Sequence, residues 1–193
     1  MRDMMKVVGF NCSPKKDGNT AHMLKEVFAE LEKEGIRTEF VQVGGKDLKA
    51  CKACGKCREI QNMECIQKDE INEFLKKMIE ADGIIIGTPT YFADLTPEAK
   101  ILMDRCGYVA RSNGNPLKRK VGAAVVAVRR AGSIHAFDSV NHFFTINEMI
   151  IPGSSYWNMS LALAPGDFEK DPEGVQTMKN LGVNMSWLLK KLK

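Results

Sequence analysis

Four of the chain's six cysteines fall within the fifteen residues CKACGKCREIQNMEC, from Cys51 to Cys65. Cys51, Cys54 and Cys57 form a CxxCxxC run, and Cys65 follows after seven intervening residues. Thiolates at this spacing recur as iron–sulfur ligands: three on a tight loop, with a fourth at a variable distance. Gly55 lets such a loop turn its sulfurs inward. Lys52, Lys56 and Arg58 bring positive charge to offset a thiolate-bound group. Zinc is an alternative, although its usual pattern is two separated CxxC pairs. A loop of empty, reduced thiols is a third reading. Cys12 and Cys106 lie outside the run and are expected to pack as small buried hydrophobes.

A second group of polar residues stands in NCSPKKDGNT, Asn11 to Thr20. Ser13, Asn19 and Thr20 offer side-chain donors, Lys15 and Lys16 add charge, and Gly18 admits close backbone approach. Free amides at a following helix start favour an anion such as phosphate. An ordinary capped turn has the same composition. Neither GxxxxGK[ST] nor GxGxxG is present, so this is no P-loop and no dinucleotide fingerprint. A third turn, GTPTYF from Gly87 to Phe92, combines the stiff Pro89, the hydroxyl of Thr90 and the flat rings of Tyr91 and Phe92. A planar ligand could lie against it; equally, its aromatics could cover the core. In RRAGSIH, Gly132 permits close approach and Ser133 can donate, while Arg129 and Arg130 read as surface charges.

The elements that hold these turns follow from periodicity. Met5–Asn11, Ile36–Val43, Gly83–Pro89 and Val121–Val128 read as strands, and Met149–Ser155 as a short fifth. Met23, Leu24, Val27, Phe28 and Leu31 share one helical face after Asn19. Further helices are expected after Asp69, over Pro97–Arg105, over Ile134–Ile146, and from Pro172 onward. Strands that alternate with helices imply parallel βαβ units and a three-layer α/β sandwich. With 193 residues and 44% apolar content, one domain spanning 1–193 is expected, with a cysteine-rich insertion at about 45–69. In such a sheet, ligands bind beyond the carboxyl ends of the strands.

SPKKDGNT and GTPTYF together resemble the NADPH-dependent FMN reductase branch of the flavodoxin-like proteins, whose pattern is roughly GSPRxxGNT followed by GSPxYx. The resemblance covers nearly the whole chain and implies a five-stranded parallel sheet of order 2-1-3-4-5. It further implies FMN, with the phosphate at Ser13–Thr20 and the isoalloxazine over Pro89–Phe92. Cys12 departs from the family's frequent Gly. The cysteine run is similar to the compact motif of the iron–sulfur flavoproteins, a subgroup in which it binds a [4Fe–4S] cluster. The seven-residue gap before Cys65 is at the long end of that motif. The resemblance also implies a homodimer or homotetramer with FMN near an interface and the cysteine loop reaching toward a neighbour's flavin. Tyr91, Phe92, Tyr108, Phe143, Phe144, Tyr156 and Trp157 are the candidates for such contacts.

The leading expectation is an FMN-dependent oxidoreductase that passes electrons between flavin and cluster. The alternatives are a cluster-free NAD(P)H-dependent FMN or quinone reductase and a non-catalytic zinc- or thiol-bearing module. NAD(P)H and ferredoxin are candidate donors. No acid–base constellation stands out; His22, His135 and His142 lie in helical stretches. The net charge of +4 is modest and gives no sign of nucleic-acid binding. No run approaches a membrane span, and MRDMMKVVGFNCSP turns polar too early for a signal peptide. A cytoplasmic location is expected, where clustered thiols remain reduced.

Overall fold

The computed structural model describes residues 4–193. Its strands are β1 (Lys6–Asn11), β2 (Arg37–Gln42), β3 (Gly83–Pro89), β4 (Val121–Val128) and β5 (Met159–Leu161). They form one parallel sheet in the order β2-β1-β3-β4-β5. The helices are α1 (Asn19–Lys33), α2 (Lys56–Ile60), α3 (Ile71–Glu80), α4 (Pro97–Ser112), α5 (Ser133–Ile146) and α6 (Pro172–Leu192). A short 3-10 turn, Phe168–Lys170, precedes α6.

Side chains alternate across a strand, so each central strand feeds two cores. Ile85 of β3 packs with α1 and α6 residues such as Leu24, Val27, Met178 and Leu181. Its neighbours Ile84 and Ile86 pack on the other face with α3, α4 and α5 through Leu75, Leu102 and Phe144. This double burial explains the unbroken apolar runs GIIIGTP and VGAAVVAV. Cys12 and Cys106 are fully buried, and burial pushes both thiols well up from their usual pKa. Among the described residues, no helix is long and apolar enough to cross a membrane.

Three elements depart from the sequence reading. The fifth strand is Met159–Leu161, paired with Val126–Val128, and not Met149–Ser155. Ile150 makes only an isolated bridge to Val121. Pro152 follows two residues later and has no N–H for a ladder, so the chain leaves the sheet there. α4 continues past Arg105 to Ser112. Its end is held by Asn113, whose Nδ2 donates to the Val109 carbonyl at 2.8 Å. Finally, Phe143 and Phe144 belong to the core, whereas Tyr91, Phe92, Tyr108, Tyr156 and Trp157 are exposed.

Ile86 is fully buried at the centre of the sheet. Ile86→Ala is predicted to cost about 2–5 kcal/mol through lost burial and an unfilled cavity. The measurement is the urea unfolding midpoint; a loss under 1 kcal/mol (roughly half the lower limit) would contradict this packing.

Candidate functional sites

The first site forms where the turns after β1 and β3 face each other. Ser13, Lys15, Gly18, Asn19, Thr20, Pro89, Thr90 and Tyr91 line one cleft, joined by Ala127, Arg129, Ala162 and Leu163. Gly18 precedes α1 and provides no side-chain cap. The first-turn amides of α1 are thus left for an outside acceptor. The Ser13 hydroxyl accepts the Lys15 N–H at 3.2 Å and keeps its own proton to donate. Thr90 contributes a buried hydroxyl oxygen without a hydrogen-bond partner. An unpartnered donor in a polar cleft fits a phosphorylated, ring-bearing ligand.

Asn11 and Gln42 fix the first turn, and the sequence reading missed both. Asn11 Nδ2 donates to Gln42 Oε1 at 2.7 Å and to the Lys15 carbonyl at 3.2 Å. Its Oδ1 accepts the Ser13 N–H at 3.3 Å. Gln42 Nε2 donates to the carbonyls of Ser13 and Gly44, each at 2.7 Å. Gly44 presses on this turn so closely that a Cβ there would stand 2.2 Å from the Ser13 carbonyl carbon. Asn19 lines the cleft, but its amide donates to the Ala164 carbonyl at 2.9 Å and its Oδ1 accepts the Phe168 N–H at 3.3 Å. Its side chain therefore fastens the segment after β5 instead of reaching into the cleft.

Phe92, Gly132 and Ser133 are not among the cleft's lining residues. Phe92 is wholly exposed at the tip of a tight turn, with φ of 45° and with Ala93 at 68°. Tyr91 and Asp94 close that turn by exchanging N–H···O bonds of 2.7 and 3.1 Å. Gly132, at φ 91°, backs it: a Cβ there would meet Ala93 Cα at 2.6 Å. Ser133 is buried and directs its hydroxyl to Met159 Sδ at 3.1 Å. Arg129, read from sequence as a surface charge, lines the cleft while remaining exposed.

The second site is the cysteine insertion. Cys51, Cys54, Cys57 and Cys65 all line one cavity of about 280 Å³ and all are free thiols. Lys52, Arg58 and Arg105 share its lining, and no carboxylate does. The loop turns inward through left-handed residues at Ala53, Gly55 and Met63. The Ala53 N–H donates to Cys51 Sγ at 3.4 Å. Cys57 sits on the short α2, and Cys65 is clamped by Asn72, which accepts its N–H at 2.8 Å and donates to its carbonyl at 2.9 Å. Arg105, 1% exposed, pairs with Asp69. Its Nη1 also donates to the Lys49 carbonyl at 3.0 Å. Burial works to raise the Asp69 carboxyl, but Arg105 and the amides of Lys49 and Ile71 hold it below its usual value.

Among the described residues, no three Cys, His, Asp or Glu side chains are gathered around a single-ion position. The thiols instead surround a volume. Four sulfurs, a cationic lining and an N–H···S bond suit a multi-atom anionic cluster. The residues present therefore fit such a group.

The fold and the first cleft define a flavodoxin-like flavoprotein. Residues 5–164 match the NADPH-dependent FMN reductase family. An iron–sulfur flavoprotein of Methanocaldococcus jannaschii is 37% identical, covering 98% of this chain and 100% of its own length. One from Methanosarcina thermophila is 32% identical, covering 90% of each chain. A crystal structure of RosB with a bound 8-demethyl-8-formylriboflavin-5'-phosphate intermediate superposes with a TM-score of 0.78. That match is 20% identical and covers 97% of this chain and 80% of RosB. The chain belongs to the NADPH-dependent FMN reductase family, on its iron–sulfur flavoprotein branch, and is an FMN-dependent oxidoreductase.

His22 ties the turn after β1 to the segment beyond β5. Its Nε2 lies 3.0 Å from Asp17 Oδ1 in the first turn, and its Nδ1 pairs with Glu169 beyond β5. Glu169 foremost raises the His22 pKa; burial, the next largest effect, opposes it, and Asp17 adds to the rise, which prevails. A raised folded pKa gives stability that is complete below the ordinary histidine value of about 6.5 and is lost as pH rises through the raised value. His22→Gln is predicted to remove this dependence. Unfolding midpoints of both proteins between roughly pH 5 and 9 check it; parallel profiles would contradict it.

Proposed function

We propose that this chain binds FMN between the turns after β1 and β3, and carries a [4Fe–4S] cluster on Cys51, Cys54, Cys57 and Cys65. Electrons pass between the two. The observation that carries this reading is the convergence of all four insertion cysteines on one cavity with a cationic, carboxylate-free lining. FMN supplies both one- and two-electron exchange when bound, and a cluster supplies one-electron exchange, so together they join a hydride donor to a single-electron carrier. The α1 amides with Ser13 and Thr20 hold the phosphate, Lys15 offsets its charge, and Gly18 lets the backbone come close. Pro89, Thr90 and Tyr91 support the ring and its polar edge, with Gly132 setting the turn from behind.

The donor is NAD(P)H or a ferredoxin-like one-electron carrier. A homodimer or homotetramer would bring a cysteine insertion beside a neighbour's flavin, and exposed Phe92, Tyr108, Tyr156 and Trp157 support such contacts. Free thiols in this number suit a reducing cytoplasm.

Ser13→Ala and Thr20→Ala are each expected to weaken FMN binding by about 1–3 kcal/mol, as loss of a hydroxyl bonded to a charged group. Flavin fluorescence titration of the apoprotein reads this; an unchanged dissociation constant puts the phosphate elsewhere. Cys54→Ala tests the cluster, because the middle ligand of a tight loop has no nearby substitute. Anaerobically purified variant is expected to lose iron and acid-labile sulfide while keeping FMN. Full iron in Cys54→Ala would sink the ligand assignment and favour the cluster-free reductase.

A further inference from the structure

Arg105 is the largest fully buried side chain, and it stands in the wall of the cysteine cavity. Three of its polar contacts go to oxygen atoms. Nη1 bonds the Lys49 carbonyl and Asp69, and Nη2 reaches the Gln67 carbonyl at 3.4 Å. Its Nε is buried with no partner at all. Burial works to lower the Arg105 pKa, but Asp69 and then the Cys65 thiol, which lines the same cavity, raise it. A buried donor without an acceptor is costly, and native structures rarely tolerate one without a use for it. Nε is thus the guanidinium nitrogen left without a partner, on a residue that shares its cavity with Cys51, Cys54, Cys57 and Cys65.

We propose that Arg105 donates its Nε–H to the sulfur at Cys65 when the cluster is bound, and thereby raises the cluster's reduction potential. This rests on the cluster reading above. A reduced cluster carries one more negative charge than an oxidised one, so a donor aimed at its ligand sulfur stabilises the reduced form more. Burial strengthens the effect, because no water competes for the donor. Asp69 and the carbonyls of Lys49 and Gln67 hold both Nη nitrogens, which fixes the planar guanidinium and with it the Nε–H. Arg58 and Lys52, both exposed, lack this rigidity.

The test is the cluster's midpoint potential in anaerobically reconstituted protein, with the FMN potential measured in the same titration as a reference. Arg105→Lys keeps a charge for Asp69 but has no Nε–H. Arg105→Gln with Asp69→Asn removes both charges, so that no lone carboxylate is buried. Each is expected to lower the cluster potential by at least a tenfold change in the reduction equilibrium, 59 mV for a one-electron couple. The FMN potential should stay in place. A cluster potential that does not move in variants retaining iron and flavin overturns the proposal alone. If the variants cannot hold iron, the unaltered side chain gives the answer. In Arg58→Lys protein with ¹⁵N-labelled arginine, the reduced cluster should show hyperfine coupling to a guanidinium nitrogen, and its absence overturns the assignment. If unaltered protein reconstituted with iron and sulfide holds no cluster, the functional reading falls and this proposal falls with it.

Discussion

The buried pair of Arg105 and Asp69 is the constraint on which the cysteine insertion depends. Arg105 grips the Lys49 carbonyl where the insertion begins, and Gln67 and Asp69 where it ends. Both ends of an otherwise exposed loop are thereby tied to one side chain on α4. Removing one partner from a buried ion pair typically costs about 3–5 kcal/mol, because the other charge is left uncompensated. The loop between the two ends has few buried side chains of its own. Asn72 and Asn113 add a second set of ties, to Cys65 from α3 and to Met63 and Cys57 from the end of α4. The cavity is therefore shaped by α3 and α4, and not by the loop alone.

The first cleft is built by different means. Its turns leave the carboxyl ends of β1 and β3, which are neighbours at the centre of the sheet. Thr96 links them: its hydroxyl donates to the Cys12 carbonyl at 3.0 Å and accepts the Ala99 N–H at 3.3 Å as the cap of α4. α4 thus begins next to the turn after β1 and, about two turns before its end, carries Arg105 in the cysteine cavity. One rigid helix spans both sites. The two sites thus share a helix, yet no residue lines both.

The central strands and the long helices were legible because buried parallel strands and amphipathic helices impose strong periodicity, whereas the sheet order came from the family resemblance alone. The four cysteines announced themselves by spacing. Arg105 did not, because an arginine in a helical run reads as surface, and its partner lies 36 residues away. Asn11 and Gln42 were hidden for the same reason: a turn's side-chain wiring runs between strands that sequence reading treats separately. The fifth strand was misplaced although Pro152 was in plain view within MIIPGSS; apolar content outweighed the missing N–H. Phe92 was grouped with the cleft by its neighbours, yet a left-handed turn sends it into solvent.

The central claim is that one chain holds both a flavin and a one-electron cluster. An anaerobic reductive titration tests it by counting electrons. FMN takes up two and a cluster one, so the reconstituted protein should consume about three electrons per chain, with the flavin band and a broad cluster band bleaching in distinct phases. Full reduction after about two electrons per chain, with the flavin band alone changing, would contradict it.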